Sequence, residues 1–338
     1  MKQAKTLYGY LSVWLLLLLV ALPSCDYIHD DIAPCKHYLR FSYVHNMKFA
    51  DAFTHEMVNQ QTAKTLRLYI FDAEGKFLRA ETLEGEALQT NRHELDLEPG
   101  TYRLLAWAGL NETDYDWTTP AAGSSIADFR MSVKRDEQQA VARELLGLFQ
   151  GEMTLEIPQG GATEQVMPLV KNTNKIRFVI IDTNRGTNEL ATGDFEMQVT
   201  TANGDLAYDN APITNETIRW QPYYTAVETV KGAASATIYQ ALCSELNTLR
   251  LIDGTGGRLK VRFSQEETPF LDVDLTAFLC LTQIESHKLS AQEYLDRQDE
   301  YVVMVYVDTM GGKAHCLEVI VNDWVIRLDD LGLGKEEL

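Results

Sequence analysis

The sequence predicts an all-β protein with two β-sandwiches in series and one or two short helices. Apolar and polar residues alternate with a period of two over many short segments, which is typical of half-buried strands. Residues that favour turns, mainly Gly, Asn, Asp and Pro, separate these segments. The chain has 338 residues and 45% hydrophobic content, so it is long enough for about two domains with packed cores.

Residues 1–24 predict a secretory signal. Lys2 and Lys5 give a positively charged start, and the apolar run at residues 11–22 is far shorter than the ~20 residues of a membrane-spanning helix. The junction LPSC at residues 22–25 resembles a bacterial lipobox, although its proline is unusual there. We therefore expect Cys25 to become the lipidated first residue of the mature chain. The alternative is an ordinary secreted protein that is cleaved elsewhere.

The mature chain is strongly acidic. The formal net charge of the full chain, −19, becomes −21 when Lys2 and Lys5 are removed with the signal. Such a charge repels phosphate backbones, so nucleic acid is excluded as a partner. Surface solubility is the simplest interpretation of the acidity.

The cysteines give no metal or redox motif. They are Cys25, Cys35, Cys243, Cys280 and Cys316, and no C-x-x-C sequence is present. If Cys25 carries lipid, four cysteines remain, and their three possible pairings stay open.

The first sandwich is predicted over residues 37–170, after a lipidated tether at residues 25–36. Its first strand covers residues 38–44, in which Leu39, Phe41 and Tyr43 lie on one side. Two predicted hairpins follow, one with a turn at residues 72–75 and one with a turn at Pro99-Gly100. Further strands are predicted at residues 145–157 and 165–170, and the polar stretch at residues 136–145 is predicted to be a short helix or a loop.

The second sandwich is predicted over residues 171–338, after a polar linker, VKNTN. Strands are expected at residues 174–182 and along residues 194–209, where Ala202-Asn203-Gly204-Asp205 is read as a hairpin turn. One helix is expected in LSAQEYLDRQ, with Ser290 as its N-cap and Glu293 completing a capping box. The last two predicted strands are joined by Met310-Gly311-Gly312.

No enzymatic motif is complete, so no catalytic residue and no cofactor is predicted. His55 and His93 each begin a segment like the zinc motif HExxH, but the second histidine is missing. The glycine-rich residues 254–257 lack the lysine of a phosphate-binding loop and are read as a turn. No G-x-S-x-G sequence is present.

No metal site is predicted either. Residues 182–186 look acidic enough for a calcium loop, but the glycine comes one position early and the final glutamate is missing. A set of potential metal ligands lies in or beside the tether, where such side chains are simply hydrated: His29, Asp30, Asp31, Cys35 and His37.

Two sets of aromatic residues suggest an alternative function, sugar binding. They comprise Tyr115 and Trp117 in the first half, and Trp220, Tyr223 and Tyr224 in the second. If exposed together, such rings stack on sugars, and the chain would be a glycan-binding surface lipoprotein of a polysaccharide uptake system. If buried, they are ordinary packing residues, which is the favoured interpretation.

Several segments together resemble the FimB-like anchor-subunit family of the type V fimbriae of Bacteroidales. They occur in the family's order and cover nearly the whole chain: CDYIHDDIAPC, LDLEPGTYRLLAWAGL, LVKNTNKIRFVI, AQEYLDRQDEYVVMVYVD and VNDWVIRL. The resemblance implies two transthyretin-like Greek-key β-sandwiches and no enzymatic activity. It also implies a lipid such as palmitate that holds the protein on the outer membrane, where it attaches a fimbrium and limits its length.

The resemblance further implies contact with a stalk subunit, a fimbrillin, by strand exchange. In fimbrillins of this type a protease removes the first strand and a segment of the adjoining subunit fills the groove. In this chain such a cut would also remove the lipidated Cys25, so we expect the first strand to be retained. The donor is then expected at the other end, in residues 328–338, where Leu328, Leu331 and Leu333 supply spaced apolar side chains; a frayed acidic terminus is the alternative.

Overall fold

The computed structural model describes residues 36–184, 190–213, 216–231, 238–283 and 287–326. The predicted signal, Cys25, Cys35 and the tail with Leu328, Leu331 and Leu333 lie outside these residues. The protein is mainly β, with 49% strand and 12% helix, which confirms the predicted fold class.

Twenty-two strands and three short α-helices form the described chain. The strands up to residue 171 are β1 (His37–Ser42), β2 (Thr65–Phe71), β3 (Phe77–Glu84), β4 (His93–Leu95), β5 (Gly100–Ala108), β6 (Tyr115–Trp117), β7 (Arg130–Val133), β8 (Ala140–Val141), β9 (Phe149–Ile157), β10 (Thr163–Pro168) and β11 (Val170–Lys171). Those that follow are β12 (Thr173–Asp182), β13 (Phe195–Thr201), β14 (Asp205–Ala207), β15 (Ile218–Trp220), β16 (Tyr224–Lys231), β17 (Ile238–Leu249), β18 (Arg258–Phe263), β19 (Leu271–Asp274), β20 (Glu300–Asp308), β21 (His315–Val321) and β22 (Trp324–Ile326). The α-helices are α1 (Glu86–Thr90), α2 (Leu275–Cys280) and α3 (Ala291–Arg297), and single helical turns occur at Thr54–Asn59, Ile126–Asp128 and Met310–Gly312.

The strands form five sheets. A three-stranded sheet, in the order β10-β1-β4, packs on a five-stranded sheet, β11-β9-β5-β2-β3. A six-stranded sheet, β16-β17-β12-β20-β21-β22, packs on a second five-stranded sheet, β19-β18-β13-β15-β8. The fifth sheet has the order β14-β7-β6.

Two sheets contain strands from both sides of residue 170. The short strand β8 runs parallel to β15, and β14 pairs with β7. The largest core cluster likewise contains Trp107 and Trp220, both fully buried. The predicted division at residues 170 and 171 stays a prediction, but the two parts of the chain share sheets and a core.

Three local predictions are confirmed. Residues 72–75 join β2 and β3, with Gly75 at a φ of 77°, which glycine adopts without strain. Helix α3 begins at Ser290, whose side chain accepts a hydrogen bond from Glu293 N at 3.1 Å. The Glu293 carboxylate accepts from Arg297 instead of completing the capping box. Met310–Gly312 joins the antiparallel strands β20 and β21.

Two predicted hairpins are wrong. The chain crosses between sheets at Pro99-Gly100, because β4 pairs with β1 whereas β5 pairs with β2 and β9. After β13 the chain leaves its sheet, because the buried Asn203 side chain donates to Leu249 O at 3.1 Å and Val133 N donates to Gly204 O at 2.9 Å. These bonds direct β14 to β7 and away from β13.

Candidate functional site

Strand β1, the predicted retained strand, lies in the middle of its sheet. It pairs in parallel with β10 from His37↔Thr163 to Ser42↔Pro168, and antiparallel with β4 from His37↔Leu95 to Leu39↔His93. The chain itself therefore satisfies backbone groups on both edges of β1.

The side chain of Asn91 continues the pairing beyond the end of β4. Its Oδ1 accepts from Phe41 N at 2.9 Å, and its Nδ2 donates to Phe41 O at 2.8 Å. Asn91 is buried, with a φ of 45°, a left-handed conformation that asparagine tolerates better than most residues. The side-chain amide of Asn91 thus takes the place of a neighbouring strand. It does so where the backbone preceding β4 belongs to α1 and no longer pairs with β1.

The inward side chains of β1, and that of Tyr43 just after it, are deeply packed. Leu39, Phe41 and Tyr43 are 0%, 2% and 2% exposed, on the side that the sequence predicts. The Phe41 ring stacks on Phe53 with centroids 6.1 Å apart, and the Tyr43 ring meets Phe149 edge-on at 5.2 Å. Because each such side chain contributes about 1.5–3 kcal/mol when buried, removing β1 would open a long apolar groove at a large cost in stability.

The residues after β1 are tied to both parts of the chain. Leu169 N donates to Ser42 O at 2.8 Å, and Tyr43 N donates to Asp51 Oδ1 at 2.9 Å. Arg297, the last residue of α3, donates to Val44 O at 2.9 Å. Burial, followed by the charge of Asp299, raises the pKa of the Tyr43 phenol, so the phenol stays neutral.

The outward side of β1 carries paired charges. Lys36 binds Glu94 at 2.9 Å, and Glu164 accepts from Arg92 at 3.0 Å and lies 3.7 Å from Arg40. These pairs are largely exposed, so they contribute little to stability.

The aromatic residues considered for sugar binding do not share an exposed face. Tyr115 and Trp220 are buried, and Trp220 Nε1 donates to Thr201 Oγ1 at 2.8 Å. Trp117 is half-buried beneath the Arg67 guanidinium, 5.0 Å from its ring centroid.

The other two rings lie at the start of strand β16, Tyr223 just before it and Tyr224 as its first residue. The hydroxyl of Tyr223 donates to Glu245 at 2.9 Å, and that of the exposed Tyr224 donates to Glu228 at 2.8 Å. These two rings and the first three do not form a stacking platform.

Of the potential metal ligands, His29, Asp30, Asp31 and Cys35 lie outside the described residues, as do residues 185 and 186 of the possible calcium loop. Buried His37 places Nδ1 2.9 Å from Thr163 Oγ1. Asp182, at the start of the possible calcium loop, accepts from Asn184 N and from Thr309 Oγ1. Within the described ranges, no group of three or more His, Cys, Asp or Glu side chains is arranged to hold a metal ion.

The three described cysteines, Cys243, Cys280 and Cys316, are free thiols. Their sequence positions left three pairings open, and the structure forms none among these three.

Sequence reasoning missed two residues that hold β1, Asn91 and Arg297. Asn91 ends helix α1 in a left-handed conformation, and asparagine is common at such helix ends, so a helix assigned to residues 86–90 would have indicated its role. The bond from Arg297 joins residues 253 positions apart and leaves no local sequence signal.

A family model described as fimbrillin-A associated anchor proteins Mfa1 and Mfa2 matches residues 33–330. The chain belongs to this family. Members of this anchor family are surface-associated structural proteins of fimbriae, and catalysis is not one of their known properties.

Solved structures show the same fold. A protein described as a putative polysaccharide-binding protein from Bacteroides thetaiotaomicron is 28% identical, with 87% of this chain and 98% of that chain covered and a TM-score of 0.73. A putative adhesin from the same species is 26% identical, with coverage of 88% and 99% and a TM-score of 0.75.

The fimbrial anchor protein Mfa2 from Porphyromonas gingivalis is 14% identical, with coverage of 87% and 99% and a TM-score of 0.63. At this identity the likeness concerns the fold alone. A comparison with curated proteins gives no significant match. Among the described helices, none is both long and apolar enough to cross a membrane.

Proposed function

We propose that this chain is an outer-membrane lipoprotein that anchors a fimbrium to the cell surface and limits its length. The family match supports the anchoring role. The observation that carries the mechanism is the position of β1, which is paired on both edges by the chain itself. In this proposal the lipid on Cys25 holds the protein at the membrane, and β1 keeps the first groove filled.

A filled first groove explains both attachment and length control. A sandwich that lacks a strand accepts a donor strand because unpaired backbone groups and an apolar groove are satisfied together. Because β1 already occupies this place, no donor can enter the first groove, and strand exchange through first grooves stops at the anchor. Cutting the chain after β1 would also separate the rest of the protein from Cys25.

The contact with the stalk fimbrillin is proposed to use residues 328–338. In an extended segment, alternate side chains point to the same face, so Leu331 and Leu333 could enter one groove of the stalk subunit. This tail follows β22, the last strand of the six-stranded sheet.

The substitution Cys25→Ser tests whether Cys25 carries the lipid. The control, Cys316→Ser, removes a thiol that is far from Cys25 in the sequence. Cys25→Ser should move the protein and its fimbriae from the cell to the medium, whereas the control should not. Mass spectrometry of the cell-associated protein should find acyl chains on Cys25. An unmodified N-terminus downstream of residue 25 in that material would contradict the proposal.

The tail is tested by replacing Leu331 and Leu333 with serine in the lipidated protein. The control replaces Asp329 and Asp330 with asparagine, which keeps the apolar side chains. Fimbriae should detach in the first variant alone. If both variants hold fimbriae like the parent, the tail is not the joint.

A second candidate, a glycan-binding surface lipoprotein, is favoured by the relative described as a putative polysaccharide-binding protein. Calorimetric titration with a polysaccharide panel separates the two functions. Micromolar affinity that is lost on Trp117→Ala would favour glycan binding; Trp220 is unsuitable for this test because it is fully buried.

A further inference from the structure

Strand β13 has one fully paired edge and one partly open edge. On one side it pairs with β18 from Phe195↔Phe263 to Thr200↔Arg258. On the other side it pairs with β15 only from Val199↔Trp220 to Thr201↔Ile218. Within the described parts of the chain, no strand pairs with this second edge at residues 195–198.

The hydrogen-bond pattern shows which backbone groups face the open edge. Ser264 N donates to Asp194 O at 2.8 Å, so the even-numbered residues of β13 exchange hydrogen bonds with β18. The backbone groups of Phe195 and Met197 must therefore point to the other side. Further along β13, the backbone groups of Val199 and Thr201 point to the same side and pair with β15.

A cleft of about 540 Å³ lies along this open edge. It arises because β15 ends at Trp220, and Pro222 then leads the chain away into β16. Its lining includes the β13 edge, the Gln221-Pro222 turn, and the hydroxyls of Thr225 and Ser244, which lie 3.1 Å apart on the neighbouring sheet. A longer β15 would fill the part of the cleft next to Pro222, and Lys260 and Arg262 of β18 line another part.

Three of the four charged side chains that line the cleft have ion-pair partners. Arg262 binds Glu196 at 2.5 Å, and Lys260 lies 3.5 Å from Asp272. The occupant therefore needs no charge of its own. The chain's own tail carries four acidic side chains, at residues 329, 330, 336 and 337, and a second copy of the mature chain has a net charge of −21. Both are poor occupants beside the acidic side chain of Glu267, which also lines the cleft.

We propose that this cleft binds an uncharged, extended segment of the stalk subunit, which pairs with residues 195–198 of β13. Unpaired backbone groups at every second residue are matched only by another polypeptide in an extended conformation. The segment's inward side chains would lie against Phe195 and Met197, which are 3% and 5% exposed, so small apolar residues fit there. This inference rests on the proposed anchoring function and adds a second contact with the stalk.

The substitution Thr225→Trp tests the cleft by filling it. Thr225 is exposed, so the larger side chain should not disturb the core. Thr229→Trp is the matched control: Thr229 lies four residues along the same strand, on the same face and also exposed, but outside the cleft lining. Thermal unfolding of both purified proteins checks that they fold.

Cells that carry Thr225→Trp should retain at least about tenfold fewer fimbriae than cells that carry Thr229→Trp, counted by electron microscopy. Equal retention would overturn the cleft proposal. If Cys25→Ser still releases fimbriae in that case, the anchoring function stands without the cleft. If Cys25→Ser also has no effect, the proposed function itself fails.

A second measurement does not depend on the tryptophan variant. The photoreactive residue p-benzoylphenylalanine is placed at position 225, or at position 229 as a control, in the full lipidated chain of fimbriated cells. Position 225 should crosslink to the stalk subunit, at a short uncharged segment identified by mass spectrometry. No adduct, an equal adduct at position 229, or an adduct with residues 327–338 of the same chain would each reject the proposal.

Discussion

Asn91 takes the place of a strand beside Phe41, because its side-chain amide both accepts from Phe41 N at 2.9 Å and donates to Phe41 O at 2.8 Å. Strand β4 pairs with β1 only as far as Leu39. A single side chain therefore closes the β1 edge where the backbone ladder stops.

Replacing Asn91 with glycine should destabilise the protein by about 1–3 kcal/mol, the cost of a buried polar group that loses its partner. Glycine retains the left-handed backbone, so the change reports the lost hydrogen bonds. Chemical denaturation measures the loss. Thr90→Ala, at the exposed neighbouring position, should change stability by no more than about 0.5 kcal/mol. Equal stability of the two variants would show that water replaces the amide.

The ammonium of Lys171 forms a partly buried ion pair. It lies 2.5 Å from Asp299 and 4.0 Å from Glu56, and its side chain is 13% exposed. Burial alone would lower the pKa of Lys171, but Asp299 and Glu56 outweigh burial and raise it. Because the folded pKa lies above the unfolded value of 10.5, this stabilisation is complete below that value and is lost as the pH rises through the folded pKa.

Replacing Lys171 with methionine should cost about 3 kcal/mol at neutral pH, because Asp299 then remains partly buried without its partner. The double variant Lys171→Met, Asp299→Asn should recover much of this loss. Denaturation at pH 7 compares the three proteins. A double variant no more stable than the single one would show that packing, and not the charge, accounts for the effect.

The thiols of Cys280 and Cys316 should react slowly. Burial raises the pKa of each to about 11. At pH 8 their thiolate fraction is then about two orders of magnitude below that of an ordinary cysteine. Alkylation by iodoacetamide should be correspondingly slow and should accelerate up to about pH 11. Fast labelling of the folded protein at pH 8 would contradict the burial of these groups.

The alternation of residues predicted most strands because it reports which side of a strand is buried. It placed Leu39, Phe41 and Tyr43 on the buried side of β1. It did not show that Tyr69 would be buried as well, on the opposite face of β2 from Leu68. That face is covered by residues far along the chain, including Phe129, whose ring centroid lies 5.2 Å from that of Tyr69.

Pairing partners could not be predicted from the sequence, because alternation fixes the face of a strand and not its neighbour. This explains the wrong hairpin at Pro99-Gly100. The strands β8, β14 and β15 have only two or three residues each, too few for a period of two to appear. The open edge of β13 was missed for the same reason, since it exists only because β15 is short.

Because these short strands connect the two parts of the chain, we expect that residues 36–171 do not fold stably alone. Without β14, strand β7 loses its partner on one edge over residues 130–132 and keeps only β6 on the other. The core around Trp107 also loses Leu206 and the apolar residues beyond it. We expect the fragment to aggregate or to bind a hydrophobic dye, whereas the mature chain, residues 25–338, unfolds in one cooperative transition. Both are compared by calorimetry and amide NMR. A well-dispersed spectrum and a sharp transition for the fragment would mean that the first sandwich is autonomous and that β14 is dispensable to it.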